Sequence, residues 1–126
     1  QKVVNILLVE DDELGRYAIA KVLRKAGHVV VETVDGQGAM QAIKKNLPDI
    51  LITDVVLPNY DGLSLLADVR KISASLPILV ISGGGSNFGT DYLTFAEGLG
   101  ANAVMKKPFL NSDLLNKVQA VLNPKA

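Results

Sequence analysis

Short apolar runs recur along the chain, and each is followed by a stretch with helical spacing. Four of the five runs are nearly continuous in Val, Ile and Leu, which is typical of strands buried on both faces of a sheet. The second run turns polar at Glu32 and Thr33, which predicts an edge strand. The predicted strands are Val3–Val9, Val29–Thr33, Ile50–Thr53, Ile78–Ile81 and Ala103–Met105.

Between these runs, apolar residues recur at the spacing of an amphipathic helix. Leu14, Ala18 and Val22 predict the buried face of a first helix, with Ile19 and Leu23 beside it. Gly27 is the predicted end of the first helix, and Asp61 the N-cap of the third. The other helices are predicted from Ala39, Ile43 and Leu47, ended by Pro48; from Tyr92, Phe95 and Ala96; and from Leu114, Val118 and Leu122, capped by Asn111 or Ser112.

Strands that alternate with helices across short loops predict a parallel sheet covered by helices on both faces. The fold class is therefore α/β, with five βα units in one domain that spans residues 1–126. The apolar runs are too short to cross a membrane. Since a strand pattern begins at Val3, we expect no signal peptide.

Charge and composition narrow the function. The 13 basic residues balance the 13 acidic ones, which argues against nucleic acid or an anionic membrane as a partner. The absence of cysteine excludes disulfides and thiolate chemistry and fits a cytoplasmic location. His28 is the only histidine, so we interpret it as an ordinary loop residue rather than part of a catalytic dyad.

Polar residues follow four of the predicted strands at the point where each strand ends. Ligands of an open parallel sheet bind outside the carboxyl ends of its strands, near the position where the strand order reverses. We therefore expect these side chains to share one edge of the sheet. They are Glu10, Asp11 and Asp12 after the first strand, Asp54 after the third, Ser82 after the fourth, and Lys106 and Lys107 after the fifth.

These residue types favour metal-assisted phosphoryl transfer. Carboxylates that lie close together repel one another unless a cation neutralises them, and an all-oxygen cluster suits Mg²⁺. Asp54 is then a candidate nucleophile toward phosphorus. Lys107 and Ser82 would supply the positioning and charge neutralisation that phosphoryl transfer needs. Capping of a helix explains Asp11 or Asp12 equally well, and Lys106 is expected to be solvated.

Four motifs, taken together and in this order, resemble the receiver domain of two-component response regulators. They are ILLVEDDE at 6–13, ITDVVLPNYDGL at 52–63, ILVIS at 78–82 and GANAVMKKPF at 100–109. The resemblance covers nearly the whole chain. It implies a flavodoxin-like (βα)5 three-layer sandwich with strand order 2-1-3-4-5.

The resemblance also implies a role for each acidic residue. Asp54 falls on the phosphoacceptor position. Glu10 and Asp11 fall on the acidic pair, so that Asp11 and Asp54 would bind Mg²⁺ directly and Glu10 through water. Val56 would bind the metal through its backbone carbonyl, and Asp12 becomes a helix-start residue.

Two further residues match the family at the ends of the last strands. Ser82 matches the switch hydroxyl, and Lys107 matches the lysine that contacts the phosphoryl group. The resemblance implies a cis bond between Lys107 and Pro108. Val104 stands where the family usually has Tyr or Phe, so the aromatic switch residue is missing. We therefore expect the switch to involve the segment from Gly83 onward, with Phe88, Tyr92 or Phe95 in the aromatic role.

The implied function is that of a signalling module rather than an enzyme. A sensor histidine kinase or a histidine phosphotransfer protein would phosphorylate Asp54, and the module would catalyse only its own phosphorylation and dephosphorylation. The face formed by the fourth helix, the fifth strand and the fifth helix would then act on an effector, which the sequence does not identify, or form a phosphorylation-dependent homodimer.

Two other functions fit the fold less well. A haloacid-dehalogenase-like phosphohydrolase would need a second aspartate two residues after the nucleophile, where this chain has Val56. A flavin carrier would need a phosphate-binding loop rich in Ser and Thr after the first strand. The sequence EDDE in that loop would repel a phosphate. The residues therefore favour the receiver.

Overall fold

The computed structural model describes residues 3–57, 60–83, 94 and 96–123. The strands are β1 (Asn5–Val9), β2 (Val29–Thr33), β3 (Ile50–Asp54), β4 (Ile78–Ser82) and β5 (Ala103–Lys106). The helices are α1 (Glu13–Lys25), α2 (Gly36–Lys45), α3 (Gly62–Ile72) and a C-terminal helix (Asn111–Leu122). Thr94 and residues 96–98 are helical, in the region of the predicted fourth helix. Phe88, Tyr92 and Phe95 lie outside the described residues.

All strand pairs are parallel, and the strand order is β2-β1-β3-β4-β5. This order and the edge position of β2 confirm the sequence predictions. The direction of winding reverses between β1 and β3, which places the ligand-binding crevice at their carboxyl ends. Val9 pairs with Thr53 in register, so Glu10 and Asp54 emerge beside each other.

The sheet separates two apolar clusters, as a three-layer sandwich requires. Ile6 and Leu8 of β1 belong to the cluster beneath α1 and the C-terminal helix. Leu7 and Val9, which point to the opposite face, belong to the cluster beneath α2 and α3. This alternation is the two-residue period of a strand covered on both faces. Val104 packs, partly buried, against the second cluster.

The predicted buried face of α1 is only partly right: Ile19 and Leu23 are buried as predicted, and Val22 packs, partly buried, against the core. Ile19, Ala20 and Leu23 are its buried residues, whereas Leu14 is 80% exposed and Ala18 is exposed. Apolar residues occupy more than one stripe of this helix, and periodicity alone does not select which stripe meets the sheet.

The second helix ends earlier than its apolar pattern predicted. Asn46, the C-cap of α2, has an extended conformation, and Leu47 lies beyond the helix with half of its surface exposed. The ring of Pro48 disfavours a helical conformation at the residue before it. Ala39 and Ile43 are buried as predicted.

The predicted caps of the C-terminal helix are also wrong. Its N-cap is Leu110, so Asn111 and Ser112 already lie inside the helix. The predicted caps of two other helices are confirmed: Asp12 accepts from the Gly15 N–H, and Asp61 accepts from the Leu63 N–H.

His28 lies in the connection between α1 and β2, as expected, but it is buried, with 6% of its surface exposed. Its Nδ1 atom accepts a hydrogen bond of 3.2 Å from the backbone N–H of Val4. Gly27, the residue before it, has a φ of 99°, which fits the predicted helix end. No helix in the described part of the chain is long and apolar enough to span a membrane.

Candidate functional site

Three charged side chains meet at the carboxyl edge of the sheet. The Nζ atom of Lys107 donates hydrogen bonds to Oδ2 of Asp54, at 3.1 Å, and to Oε1 of Glu10. Glu10 directly follows β1, Asp54 ends β3, and Lys107 directly follows β5. Glu10 and Asp54 are buried, with 2% and 7% of their surfaces exposed. The fold therefore encloses two carboxylates around one ammonium group.

The ammonium of Lys107 remains charged at this site. Burial by itself would lower the pKa of Lys107, but the hydrogen bond and charge of Glu10 and the charge and hydrogen bond of Asp54 outweigh burial, and the net pKa is raised. From the sequence, a metal ion was expected to be the cation that reduces the repulsion between the carboxylates. The structure shows that the Lys107 ammonium reduces part of the repulsion between these carboxylates.

Backbone groups hold the two carboxylates in place. Oδ1 of Asp54 accepts a hydrogen bond of 2.9 Å from the Val56 N–H. Oε2 of Glu10 accepts one of 3.1 Å from the Asp12 N–H. Because both oxygens of each carboxylate have a donor, neither side chain is free to turn away from the sheet edge.

Ser82 lies at the same edge, at the end of β4, with 4% of its surface exposed. Its backbone oxygen accepts a hydrogen bond of 2.8 Å from the Lys107 N–H, which ties the end of β5 to β4. The Lys107–Pro108 bond is cis, as predicted. Lys106 is exposed, also as predicted.

The predicted metal ligands are only partly assembled. Asp11 is exposed, and the side chain of Val56 is 47% exposed beside Asp54. Within the described ranges, no group of three or more His, Cys, Asp or Glu side chains is arranged to hold a metal ion. Glu10 and Asp54 do lie close together, but Lys107 stands between them.

Comparison with known protein families shows which family contains a chain with this site. Residues 6–119 match the family model of the response regulator receiver domain. The chain belongs to this family. It is therefore a receiver domain of two-component signal transduction, a signalling module rather than a conventional enzyme.

Named relatives agree with this assignment. The virulence transcriptional regulatory protein PhoP of Salmonella choleraesuis is 34% identical to the receiver domain over 119 residues, which are 94% of this chain and 52% of PhoP. Transcription factor SKN7 of Saccharomyces cerevisiae is 34% identical over 114 residues, 90% of this chain and 18% of SKN7. The chain thus spans about half or less of the length of these relatives.

Solved structures share the whole fold. A putative response regulator from Chloroflexus aurantiacus is 36% identical, with a TM-score of 0.89 over 96% of this chain and 98% of that one. NtrX from Brucella abortus is 29% identical, with a TM-score of 0.89 over 96% of this chain and 27% of NtrX. The flavodoxin-like topology of the receiver domain is therefore confirmed.

The oxygen atoms of this receiver domain fit a hard divalent cation. Two carboxylates, those of Glu10 and Asp54, share a single ammonium, and Asp11, the next residue after Glu10, adds a third carboxylate that is exposed. Carboxylate and carbonyl oxygens are the donors that Mg²⁺ prefers. A cation is also what excess buried negative charge requires.

One charged pair in contact with the site, Arg16 and Glu32, was not predicted from the sequence. NH1 of Arg16 donates a hydrogen bond of 3.0 Å to the backbone oxygen of Glu10, and Nε of Arg16 lies 3.3 Å from Oε1 of Glu32. A signal for this pair was present in the sequence. Arg16 lies one helical turn after the cap Asp12, and Glu32 lies near the end of the edge strand beside β1.

Proposed function

We propose that Asp54 is the phosphoacceptor of this receiver domain, in a Mg²⁺-dependent transfer from a sensor histidine kinase or a histidine phosphotransfer protein. The observation that carries the proposal is the contact of Lys107 Nζ with buried Asp54 and Glu10. A nucleophile held beside a cation at a strand end meets the main needs of phosphoryl transfer, which are position and charge neutralisation.

The hydrogen bonds of Asp54 support one of its oxygens as the nucleophile. The Val56 N–H holds Oδ1, and Oδ2 faces the Lys107 ammonium, which would also contact the incoming phosphoryl group; Oδ2 is therefore the proposed nucleophile. Oδ2 attacks phosphorus and forms an acyl phosphate, while the P–N bond of the donor breaks and its electron pair returns to the imidazole. The Lys107 ammonium and the Ser82 hydroxyl would each donate to a phosphoryl oxygen.

The ligands for the metal come from the same edge. Asp11, Asp54 and the backbone carbonyl of Val56 would hold Mg²⁺ directly, and Glu10 would hold it through water. The bound ion would neutralise charge on the transferred phosphoryl group. Because Lys107 contacts Glu10 in this structure, we expect Glu10 to exchange part of this contact when Mg²⁺ binds.

The test is phosphorylation by acetyl phosphate, followed by intact-mass analysis. The wild type should gain one phosphoryl group with Mg²⁺ present and none when a chelator is added. Asp54→Ala should gain none. Asp35→Asn is the matched control, because Asp35 also follows a strand and caps a helix at this edge, and it should be labelled like the wild type. Equal labelling of Asp54→Ala would remove Asp54 from the proposed role.

The donor protein must dock beside Asp54, and an apolar surface lies there. Leu14 on α1 is 80% exposed, and Leu110 before the C-terminal helix is 68% exposed. Their chain neighbours Gly15, Phe109 and Asn111 line a cleft of about 330 Å³, together with Lys107. Exposed apolar residues grouped beside a polar site mark a protein-binding surface. We assign this surface to the histidine-bearing donor.

The rates of phosphoryl transfer from two different donors, compared in one variant, test this surface. Leu14→Asp should slow transfer from the cognate kinase by about tenfold or more, since a charge replaces buried apolar contact. The same variant should accept phosphoryl groups from acetyl phosphate at the wild-type rate. Val34→Asp is the control, because Val34 is half exposed but neither Val34 nor its chain neighbours line the cleft. Equal kinase rates for both variants would argue against the assignment.

The proposal extends to location and output. The receiver domain, residues 1–126, would work in the cytoplasm, where the lack of cysteine is consistent with reducing conditions. Its phosphorylated form would act on an effector protein or linked domain, or form a homodimer through β5 and the C-terminal helix. Size-exclusion chromatography with and without beryllofluoride, a phosphoryl mimic, distinguishes the homodimer from a monomeric state.

A further inference from the structure

Arg16 is a charged residue close to the site that the proposed reaction does not use. Its side chain is only 18% exposed. The guanidinium lies between two oxygens: NH1 donates to the backbone oxygen of Glu10 at 3.0 Å, and Nε lies 3.3 Å from Oε1 of Glu32. Holding a guanidinium this deep requires partners with a fixed geometry.

The contact with the Glu10 backbone is the informative one. The Glu10 N–H already donates to the Thr33 oxygen at 3.1 Å, and the Glu10 carboxylate is held by Lys107 and by the Asp12 N–H. The hydrogen bond from Arg16 fixes the remaining polar group of this residue, its backbone carbonyl. Because the peptide group is planar, fixing this oxygen also fixes the direction in which the chain enters Asp11.

We propose that Arg16 is a positioning residue for the divalent-cation site: it fixes the Glu10–Asp11 peptide so that the Asp11 carboxylate is directed toward the ion. This inference rests on the proposed function, since it takes the ion to be bound by Asp11 and Asp54. Glu32 holds the guanidinium from the side of the edge strand, so the site depends on a charged pair that never touches the ion.

Arg24 provides a matched control. It shares the same carboxylate, with NH1 at 2.7 Å from Oε2 of Glu32, and it also lies on α1. Its other hydrogen bond goes to the backbone oxygen of Val30 and not to Glu10. Replacement of either arginine by methionine removes one positive charge and one partner of Glu32, but only the change at Arg16 frees the Glu10 carbonyl.

For the replacement of Arg16, long-range electrostatics and loss of positioning predict changes of opposite sign in the affinity for the cation. Loss of a positive charge near a cation site should strengthen cation binding through the Coulomb term alone. Loss of a group that orients a ligand should weaken binding, and outer partners of metal ligands typically contribute a factor of about 10 to 100 in affinity. The sign of the change therefore separates the two effects.

The experiment is a Mg²⁺ titration of the full chain followed by two-dimensional ¹H–¹⁵N NMR. Arg16→Met should bind Mg²⁺ about tenfold more weakly than the wild type. Arg24→Met should bind it as tightly as the wild type or more tightly. Arg16→Lys, which keeps a donor for the Glu10 oxygen, should recover most of the affinity. Wild-type or tighter affinity in Arg16→Met would overturn the inference.

A second measurement needs no metal and separates this inference from the proposed function. In chelator, ¹⁵N relaxation should show a lower order parameter for the Asp11 amide in Arg16→Met but not in Arg24→Met. If the wild type shows no saturable Mg²⁺ binding, the metal site and this inference both fail. If the wild type binds and the Asp11 amide is equally ordered in both variants, only the inference fails. Glu32→Gln serves as a milder variant if Arg16→Met does not fold; it is read in chelator, where the order parameter of the Asp11 amide should fall as in Arg16→Met.

Discussion

Lys107 Nζ lies 3.1 Å from Oδ2 of Asp54, across 53 positions of sequence. The two residues come together because β3, β4 and β5 are adjacent and parallel, with Asp54 opposite Ile81 and Ser82 opposite Lys106. The register of the sheet therefore places the ammonium beside the carboxylate before any ligand binds.

Lys107→Met should destabilise the metal-free protein by about 3 kcal/mol, because two buried carboxylates lose the ammonium between them. Mg²⁺ should then stabilise the variant more than the wild type, since the ion replaces the missing charge. Urea unfolding with and without Mg²⁺ measures both effects. Lys106→Met, at the exposed neighbouring residue, is the control and should change stability by at most about 0.5 kcal/mol. A metal-free Lys107→Met protein as stable as the wild type would contradict the role of this contact.

Gly62→Ala should both destabilise the domain and slow phosphorylation. A Cβ at Gly62 would lie 2.3 Å from the backbone oxygen of Val55, the residue that follows Asp54. The backbone must move to relieve this overlap, at a cost of about 2–3 kcal/mol. Urea unfolding and the rate of labelling by acetyl phosphate report the two effects.

Gly98→Ala is the control for this substitution. A Cβ at Gly98 would meet no atom within 4 Å, and the residue is helical, so alanine should leave stability unchanged or raise it by up to about 1 kcal/mol. Equal effects of the two substitutions would show that the close approach of Gly62 to Val55 does not matter.

Tyr60 should give the domain a distinct alkaline transition. Its hydroxyl donates to the Asp68 carboxylate; burial, then the hydrogen bond and charge of Asp68, raise the pKa of Tyr60 from 10.0 to about 12. The folded state thus binds this proton more tightly than the unfolded state does. The resulting stability is present below pH 10 and is lost as the pH rises toward 12.

Tyr60→Phe should therefore lower stability at neutral pH by about 1 kcal/mol and flatten its decline between pH 10 and 12. Tyrosinate absorbance should lose its highest-pH component in this variant. Tyr17→Phe, at a residue that is 63% exposed, should keep that component. A Tyr60→Phe protein whose absorbance still titrates near pH 12 would argue against the Asp68 contact.

His28→Phe should destabilise the domain by about 1–3 kcal/mol, because the buried Val4 N–H loses its acceptor. Amide hydrogen exchange at Val4 is the direct measurement, and it should become faster relative to the neighbouring amides of β1. His28→Asn keeps an oxygen near the position of Nδ1, so the Val4 amide should stay protected in that variant even if packing is poorer. Unchanged exchange in His28→Phe would contradict this hydrogen bond.

Much of the fold and the list of candidate site residues were predictable from the sequence. Continuous Val, Ile and Leu runs require burial on both faces, and strands with this pattern alternating with helices assemble in few ways. The position of β2 at an edge of the sheet was indicated by the polar residues that end the second apolar run. The rule that ligands bind at the carboxyl ends of strands then placed Glu10, Asp54 and Lys107 among the candidates, and the family resemblance gave each of them its role.

Other features were not predictable, because they depend on which surfaces meet. The face of α1 that contacts the sheet was predicted only in part: Ile19 and Leu23 are buried, but Leu14, which fits a helical stripe equally well, is exposed. The caps of the C-terminal helix were also wrong. Arg16 and Tyr60 were not assigned to Glu10 and Asp68, because sequence position can bring polar residues near each other but does not fix which of their atoms meet.

The sequence by itself determined the order of the elements, the layers and the residue types that reach the carboxyl edge. Only the tertiary structure decided the pairing of charges: Lys107 with both Asp54 and Glu10, and Arg16 with the Glu10 backbone. Hydrophobic periodicity is local and can be read residue by residue. Contacts between side chains on different strands instead depend on strand register and helix rotation, which the packing of the whole core sets.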